Sequence, residues 1–316
     1  MKRKAALGDV LLLLGLLLSF ALLLYAVYGD TPKQQAPAAP SATPASQEAT
    51  VTISPEGALQ IHILDVGQGN CALLQSPSGK SMLIDTGEAE NAAAVARFLQ
   101  THGVERLDMA VATHPHQDHI GGMATLLRVF QPAVLLLPDV SADTPEYTAM
   151  IKAADDVGAQ RLHPDVEQSV AWDDDVSVTV FAPFTGLSQL KLDLNEQSLL
   201  LHIRFGNTSI LFTGDAGTAA EETLLRLLRK SMLHSDVLMV GHHGSSDATT
   251  PRFLRAVKPK YAVISCGVNN EYGHPHQSVL NLLGQQNVAV FRTDMQGDLC
   301  ILMDGVNVSV AAETED

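Results

Sequence analysis

One loop sets the strongest constraint on this chain. The apolar stretch at residues 107–113 reads as a β-strand and runs directly into His114-Pro115-His116-Gln117-Asp118-His119. Three imidazoles and a carboxylate thus fall within six residues. Side chains two apart, His114 and His116, can point the same way and share one cation, while Asp118 and His119 can reach a second. Imidazole with carboxylate suits Zn2+ or Mn2+. A single histidine is more often a surface or hydrogen-bonded residue, and His102, His163 and His234 are read that way.

Four further segments set His, Asp or Asn at the end of an apolar strand: Leu83-Ile84-Asp85-Thr86-Gly87, Asn195-Glu196-Gln197-Ser198, Phe212-Thr213-Gly214-Asp215-Ala216 and Val240-Gly241-His242-His243-Gly244-Ser245. Alone, Asp215 would be an ordinary turn residue. In this company it is a carboxylate able to bridge two ions, with His243 or His242 completing the second site. Two ions a few ångströms apart clamp a scissile group and generate hydroxide near neutral pH. The expected chemistry is hydrolysis by a metal-bound water, with no Ser–His–Asp triad required.

Short strands separated by Gly, Pro and Ser turns alternate with helical stretches, and Gly206-Asn207 and Asp304-Gly305 sit where hairpins turn. Mixed hairpins and β–α units predict two β-sheets covered by helices, a four-layer αββα sandwich of the α/β class spanning residues 57–316, with loops at one end of the strands carrying the chemistry. Residues 31–56, rich in Pro, Ala, Ser and Thr, are expected to form a flexible tether. Before them, Lys2, Arg3 and Lys4 precede an uncharged Leu-rich run at residues 10–29. At 1.5 Å rise per residue such a run covers about 30 Å, enough to cross a bilayer. Residues 1–30 are therefore expected to be a single-pass membrane anchor, with the basic end cytoplasmic and the hydrolase domain extracellular. A cleaved secretory signal is the alternative, weakened by Tyr28 where a cleavage site wants a small residue.

Charges outside the domain cancel, so the domain itself carries the net −15. That balance weighs against tight nonspecific nucleic-acid binding, which rests on basic phosphate contacts. It leaves room for a substrate phosphate held by metal ions. The three cysteines, Cys71, Cys266 and Cys300, lie in apolar strand-like runs and read as buried hydrophobes.

The order Asp85, His114-x-His116-x-Asp118-His119, Asp215, His243 resembles the metallo-β-lactamase fold. More narrowly, Asp65-Val66-Gly67-Gln68-Gly69, Asn195-x-x-Ser198, Thr213-Gly214-Asp215-Ala216, His242-His243-Gly244-Ser245 and Tyr272-Gly273-His274-Pro275-His276 resemble the extracellular hydrolase domain of ComEC-type competence proteins, over roughly residues 60–310. The resemblance implies an αββα sandwich with a dinuclear centre: His114 and His116 on metal 1, Asp118, His119 and His243 on metal 2, Asp215 bridging, and Asp85 orienting ligands from behind. It also implies a phosphodiesterase or nuclease activity linked to DNA uptake, on single-stranded DNA or another phosphodiester. His274, over the metals, would contact a phosphate oxygen or leaving group, making Asp118, His243 and His274 the catalytic set. His276 is read as a helix cap, and Asp65, Gln68 and Gly69 as a turn near the site. Two departures stand out. Many members of the fold place a histidine where this chain has Asn195 or Ser198, which weakens metal 1. The acid that often follows Gly69 is here Asn70. ComEC-type proteins also carry a multi-helix channel, whereas one apolar span is visible here. Two other readings compete: hydrolysis of a lactone, thioester, β-lactam or phosphorylated surface polymer on the same site, or a noncatalytic tethered scaffold.

Overall fold

The computed structural model describes residues 53–182 and 193–313. The apolar run at residues 10–29 and residues 31–52 of the expected tether lie outside these. Among the described residues no helix is long and apolar enough to cross a membrane.

Period-two burial builds the strands. In β1 (Leu59–Ile63), Leu59, Ile61 and Ile63 join one core while His62 turns to the other face. The strands that follow are β2 (Ala72–Gln75), β3 (Ser81–Ile84), β4 (Met109–Val111), β5 (Val134–Leu136), β6 (Gln160–Leu162), β7 (Gln168–Val170), β8 (Val176–Ala182), β9 (Leu200–Phe205), β10 (Thr208–Phe212), β11 (Val237–Met239), β12 (Tyr261–Ile264), β13 (Ala289–Arg292), β14 (Leu299–Met303) and β15 (Val308–Ala312). They form two sheets, ordered β15-β14-β1-β2-β3-β4-β5-β6 and β13-β12-β11-β10-β9-β8-β7. Each sheet is antiparallel at one end and parallel at the other, where β3 to β6 and β10 to β13 run side by side.

Ile61, Leu74, Met82, Leu201, Ile210 and Met239 meet between the sheets. Burying each such side chain stabilises the fold by roughly 1.5–3 kcal/mol. The outer faces carry helices. On the first sheet, α1 (Ala92–Thr101) packs Val95 and Leu99 against Leu73 and Leu83. The short α2 (Gln117–Ile120) leads into α3 (Met123–Phe130), and with α4 (Pro145–Val157) α3 covers Ala110 and Leu135. On the second sheet, α5 (Thr218–Leu227), α6 (Pro251–Val257) and α7 (Gln277–Gln285) bury Leu224, Phe253 and Leu283 against Leu200, Leu238 and Ala262. These are the four layers expected from sequence. Thr144 and Thr250 start α4 and α6 by accepting from the Tyr147 and Phe253 amides, each followed by proline at the first helical position.

The two hairpin turns, one from each sheet, meet at one end of the sandwich. Asn207 N donates to Gly305 O at 2.7 Å. Gly206 has φ +58, and a Cβ there would lie 2.7 Å from the same oxygen, so position 206 requires glycine. The three cysteines are free, as their apolar settings implied. Burial pushes the thiols of Cys266 and Cys300 up to about 12, which leaves them unreactive.

Candidate metal centre

Parallel strands point the same way, so the loops leaving β3, β4, β10, β11 and β12 converge on one rim of the sandwich. Those loops supply Asp85, residues 113–119, Asp215, His242 with His243, and Ser265 respectively.

One cluster forms around Asp118, His119, Asp215 and His243, whose donor atoms all lie within 4.8 Å of one another. His119 Nε2 stands 3.2 Å from Asp215 Oδ1, and His243 Nε2 stands 3.2 Å from Asp118 Oδ2 and 3.5 Å from Asp215 Oδ2. The opposite nitrogen of each ring is fixed. His119 Nδ1 donates to Asp85 Oδ2 at 2.7 Å, and His243 Nδ1 donates to the Ser265 carbonyl at 3.0 Å. Both Nε2 atoms are thereby turned inward with their lone pairs available, the arrangement metal-binding imidazoles adopt. Asp85 is itself held, its oxygens accepting from Thr113 N at 2.8 Å and Thr113 Oγ1 at 2.7 Å.

A second group lies on the other side of Asp215. His114 Nε2 is 3.0 Å from His116 Nδ1 and 3.8 Å from Asp215 Oδ2. His242 Nε2 is 3.7 Å from the same oxygen, while its Nδ1 donates to Asp247 Oδ1 at 3.1 Å. Sequence left His242 and His243 as alternatives for one place. The structure separates them: His243 joins Asp118 and His119, and His242 faces the half that holds His114 and His116. Both adopt left-handed backbone, φ 50 and φ 55, as does Asp85 at φ 56. Such conformations cost on the order of 1–3 kcal/mol each and gather where side chains must be aimed.

The electrostatics favour positive charge at the centre. Burial works against charge on Asp215, yet His119 and His243 hold its carboxyl well below the usual range. Burial likewise disfavours the His119 imidazolium, but Asp215, Asp85 and Asp118 outweigh it and raise its pKa well above normal. His243, opposed by burial but facing Asp215 and Asp118, is pushed up to about 9. Burial and the neighbouring His119 push His114 the other way. His119 Nε2 and Asp215 Oδ1 are both buried and have no hydrogen-bond partner among the described residues. They approach each other at 3.2 Å without forming a hydrogen bond, so both lone-pair-bearing atoms are left to a metal ion.

Residues 64–268 match the metallo-beta-lactamase superfamily. The chain belongs to that superfamily. It is 31% identical over 264 residues to ComE operon protein 3 of Bacillus subtilis, covering 78% of this chain and 33% of that protein. It is 34% identical over 249 residues to competence protein ComA of Neisseria gonorrhoeae, covering 78% of this chain and 32% of that one. Recombination protein 2 of Haemophilus influenzae is 31% identical over 245 residues. The chain thus spans about a third of the length of these relatives. The crystal structure of the metallo-beta-lactamase fold protein YhfI from Bacillus subtilis shares the fold, with a TM-score of 0.50 and 14% identity over 74% of this chain and 95% of that one. As a metallo-beta-lactamase superfamily member with this His/Asp cluster, the chain is a metal-dependent hydrolase.

The remaining sequence candidates divide. Ser198 Oγ accepts from the Asp215 amide at 3.1 Å, so it positions the turn that carries Asp215. Asn195 Nδ2 lies 3.5 Å from His242 Nε2 and closes that side of the centre. Glu196, passed over in sequence, accepts from the Ala219 and Ala220 amides at the start of α5. His274 sits over the rim, its ring centroid 5.6 Å from His242 and 6.2 Å from His243. Burial and these two neighbours push it down to about 4, so it is neutral at pH 7. His276 makes no side-chain cap; its Nδ1 instead accepts from the Ser246 amide at 2.9 Å, tying down the loop after His243. Gly69, at φ +137, passes so close to Asp118 that a Cβ would lie 2.3 Å from its carbonyl oxygen. Asn70 N donates to that oxygen at 3.3 Å.

A cleft of about 440 Å3 opens beside Asp118, lined by Gln68, Glu88, Gln117, Asn270, Glu271 and Tyr272. Tyr272 is exposed and stacks on His274, centroids 5.6 Å apart. Asp247 and the Ser265 carbonyl were not singled out from sequence. The only signal for Asp247 was an acid five residues after His242 in a Ser-rich turn, a placement common without function.

Proposed function

We propose that this domain is an exported, membrane-tethered phosphodiesterase that cleaves single-stranded nucleic acid at a two-metal centre. The observation that carries the reading is the position of Asp215. One oxygen faces His119, and the other faces His114, His242 and His243. In this reading Asp118, His119 and His243 hold one ion, His114, His116 and His242 hold the other, and Asp215 bridges. His242 takes the place of the histidine that Asn195 and Ser198 do not supply. Zn2+ or Mn2+ suits these donors. When bound, such a pair polarises the scissile phosphate and lowers the pKa of the attacking water.

The chain's own groups do the rest. Asp85 and the Ser265 carbonyl keep two imidazoles in the ligating tautomer. Asp118, the most solvent-exposed of the carboxylates at the centre, sits at the cleft. Burial works against its charge, yet His119 and His243 hold its carboxyl well below the usual range, so it stays ionised and can accept a hydrogen bond that orients the attacking water. Neutral His274 stands where it can hydrogen-bond a phosphate oxygen or leaving group. Tyr272 offers an exposed ring on which a base can stack, a contact open to unpaired strands. The names of the competence relatives support a role in DNA uptake, and the apolar run at residues 10–29 supports a tether.

A second reading draws on the cleft. Among its lining residues are Glu88 and Glu271 and no Lys or Arg, which favours a small ester, lactone or polymer-displayed phosphate over a long polyanion. One panel separates the two. The Mn2+- or Zn2+-loaded chain is offered bis(p-nitrophenyl) phosphate, a single-stranded oligonucleotide, a lactone, a thioester and a β-lactam. Turnover of both phosphodiesters, abolished by His116→Ala, supports the first reading. Turnover of the carboxylic substrates alone overturns it.

A further inference from the structure

A second His/carboxylate cluster lies on the helix-covered face of the first sheet and shares no residue with the catalytic centre. His62 sits on β1 facing the helices, His102 follows the end of α1, and Glu313 follows β15. His62 Nδ1 is 3.0 and 3.1 Å from the two Glu313 oxygens, and His102 Nε2 is 3.0 Å from one of them. The donor atoms of all three lie within 4.8 Å of one another. In a tetrahedral zinc site with bonds of about 2.0–2.1 Å, neighbouring ligand atoms sit roughly 3.3 Å apart. The His62–Glu313 and His102–Glu313 spacings match to a few tenths of an ångström.

The protons make the case sharper. His102 Nδ1 lies 2.9 Å from the Phe98 carbonyl, which can only accept, so Nδ1 carries the hydrogen. Neutral His102 therefore turns the Nε2 lone pair toward a carboxylate that is also an acceptor. Something positive must lie between them, either a second proton or a cation. A carbonyl behind a ligating imidazole is the arrangement that fixes its tautomer for metal. The rings are held as well: Phe98 stacks on His102 at 4.0 Å and meets His62 edge-on at 5.6 Å. No Lys or Arg among the described residues pairs with Glu313. Side-chain exposures of 4% for His62, 26% for His102 and 20% for Glu313 describe a site walled on one side and open to water on the other.

We infer that His62, His102 and Glu313 form an auxiliary structural site for a divalent transition metal, Zn2+ by donor type, with water completing the shell. It would clamp the end of edge strand β15 to β1 and to the end of α1. This site does not depend on the proposed hydrolytic function.

The test counts metal in the full chain. Wild type and His102→Ala are loaded with Zn2+, freed of excess and analysed for metal per chain, with phosphodiester turnover measured in parallel. His102→Ala should hold about one equivalent less, lose metal-dependent thermal stabilisation and keep its turnover. A His114→Ala/His116→Ala/His119→Ala/Asp215→Ala chain, with both halves of the catalytic centre disabled, should still bind about one Co2+ with a visible d–d band, and Glu313→Gln added to it should erase that band. Equal metal content in wild type and His102→Ala, or a folded quadruple variant that binds no Co2+, overturns the inference and leaves a metal-free hydrogen-bonded His/Glu cluster. Failure of the hydrolytic reading would appear separately, as absent turnover in wild type.

Discussion

Asp85 shows how much of this centre is set by residues that would never touch an ion. Its carboxylate is fully buried and accepts from Thr113 N, Thr113 Oγ1 and His119 Nδ1. In Asp85→Asn one oxygen becomes an N–H donor facing other donors, and His119 is freed to take the wrong tautomer. Metal affinity at the His119 cluster should fall roughly 10–100-fold, measured by competition with a chelating dye; unchanged affinity would remove Asp85 from the centre. Gly69 makes a different demand. Adding a methyl at φ +137, against a carbonyl 2.3 Å away, strains both the turn and Asp118. Gly69→Ala should lower stability by about 1–3 kcal/mol in denaturant unfolding and weaken metal binding with it. The motif loop itself was legible in the sequence because His114, His116, Asp118 and His119 crowd one short segment. His102 was not, since a lone histidine after a helix carries no signal until β1 and β15 bring His62 and Glu313 beside it.

At the level of elements, the strands that bear the site were readable because their apolar runs are long and end abruptly in His or Asp. Strands β6 and β7, three residues each and largely exposed, gave no such alternation and were missed. The leucine spacing over residues 218–230 predicts a helix, and α5 ends sooner, at Leu227, where Leu228 turns extended. Helix α5 also carries a link invisible in sequence. Glu221 is buried and accepts from the Thr249 and Thr250 amides, joining α5 to the loop that follows His243. Burial raises its pKa from 4.5 to about 7, only partly offset by those amides. The folded chain therefore keeps a proton that the unfolded chain has released. Its contribution to stability is full below about 4.5 and is lost as pH rises to about 7. Glu221→Gln should remove that part of the slope. Urea midpoints of the two proteins between pH 5 and 8 check this; parallel curves would contradict it.

Across the whole molecule, the proposed function makes demands on charge and on the apolar run at residues 10–29. A domain with net charge −15 repels a polyanion, so under the proposed function a strand would have to be held by metal and stacking and not by a basic track. The KM for a single-stranded oligonucleotide should not rise between about 50 and 200 mM salt, unlike that of a basic nuclease. A steep rise would reveal phosphate contacts that the cleft does not show. The chain should also sediment with membranes and become soluble once residues 1–30 are removed. The four-layer plan was legible from mixed hairpins and β–α units, because each apolar sheet face needs a covering layer. The side of Asp215 that His242 faces was not, because it depends on how two consecutive left-handed residues aim their rings. Anomalous diffraction from crystals grown with Mn2+ tests the dinuclear centre most directly. Two peaks are expected on either side of Asp215, one ringed by Asp118, His119 and His243 and the other by His114, His116 and His242. A single peak, or none beside Asp215, would contradict it.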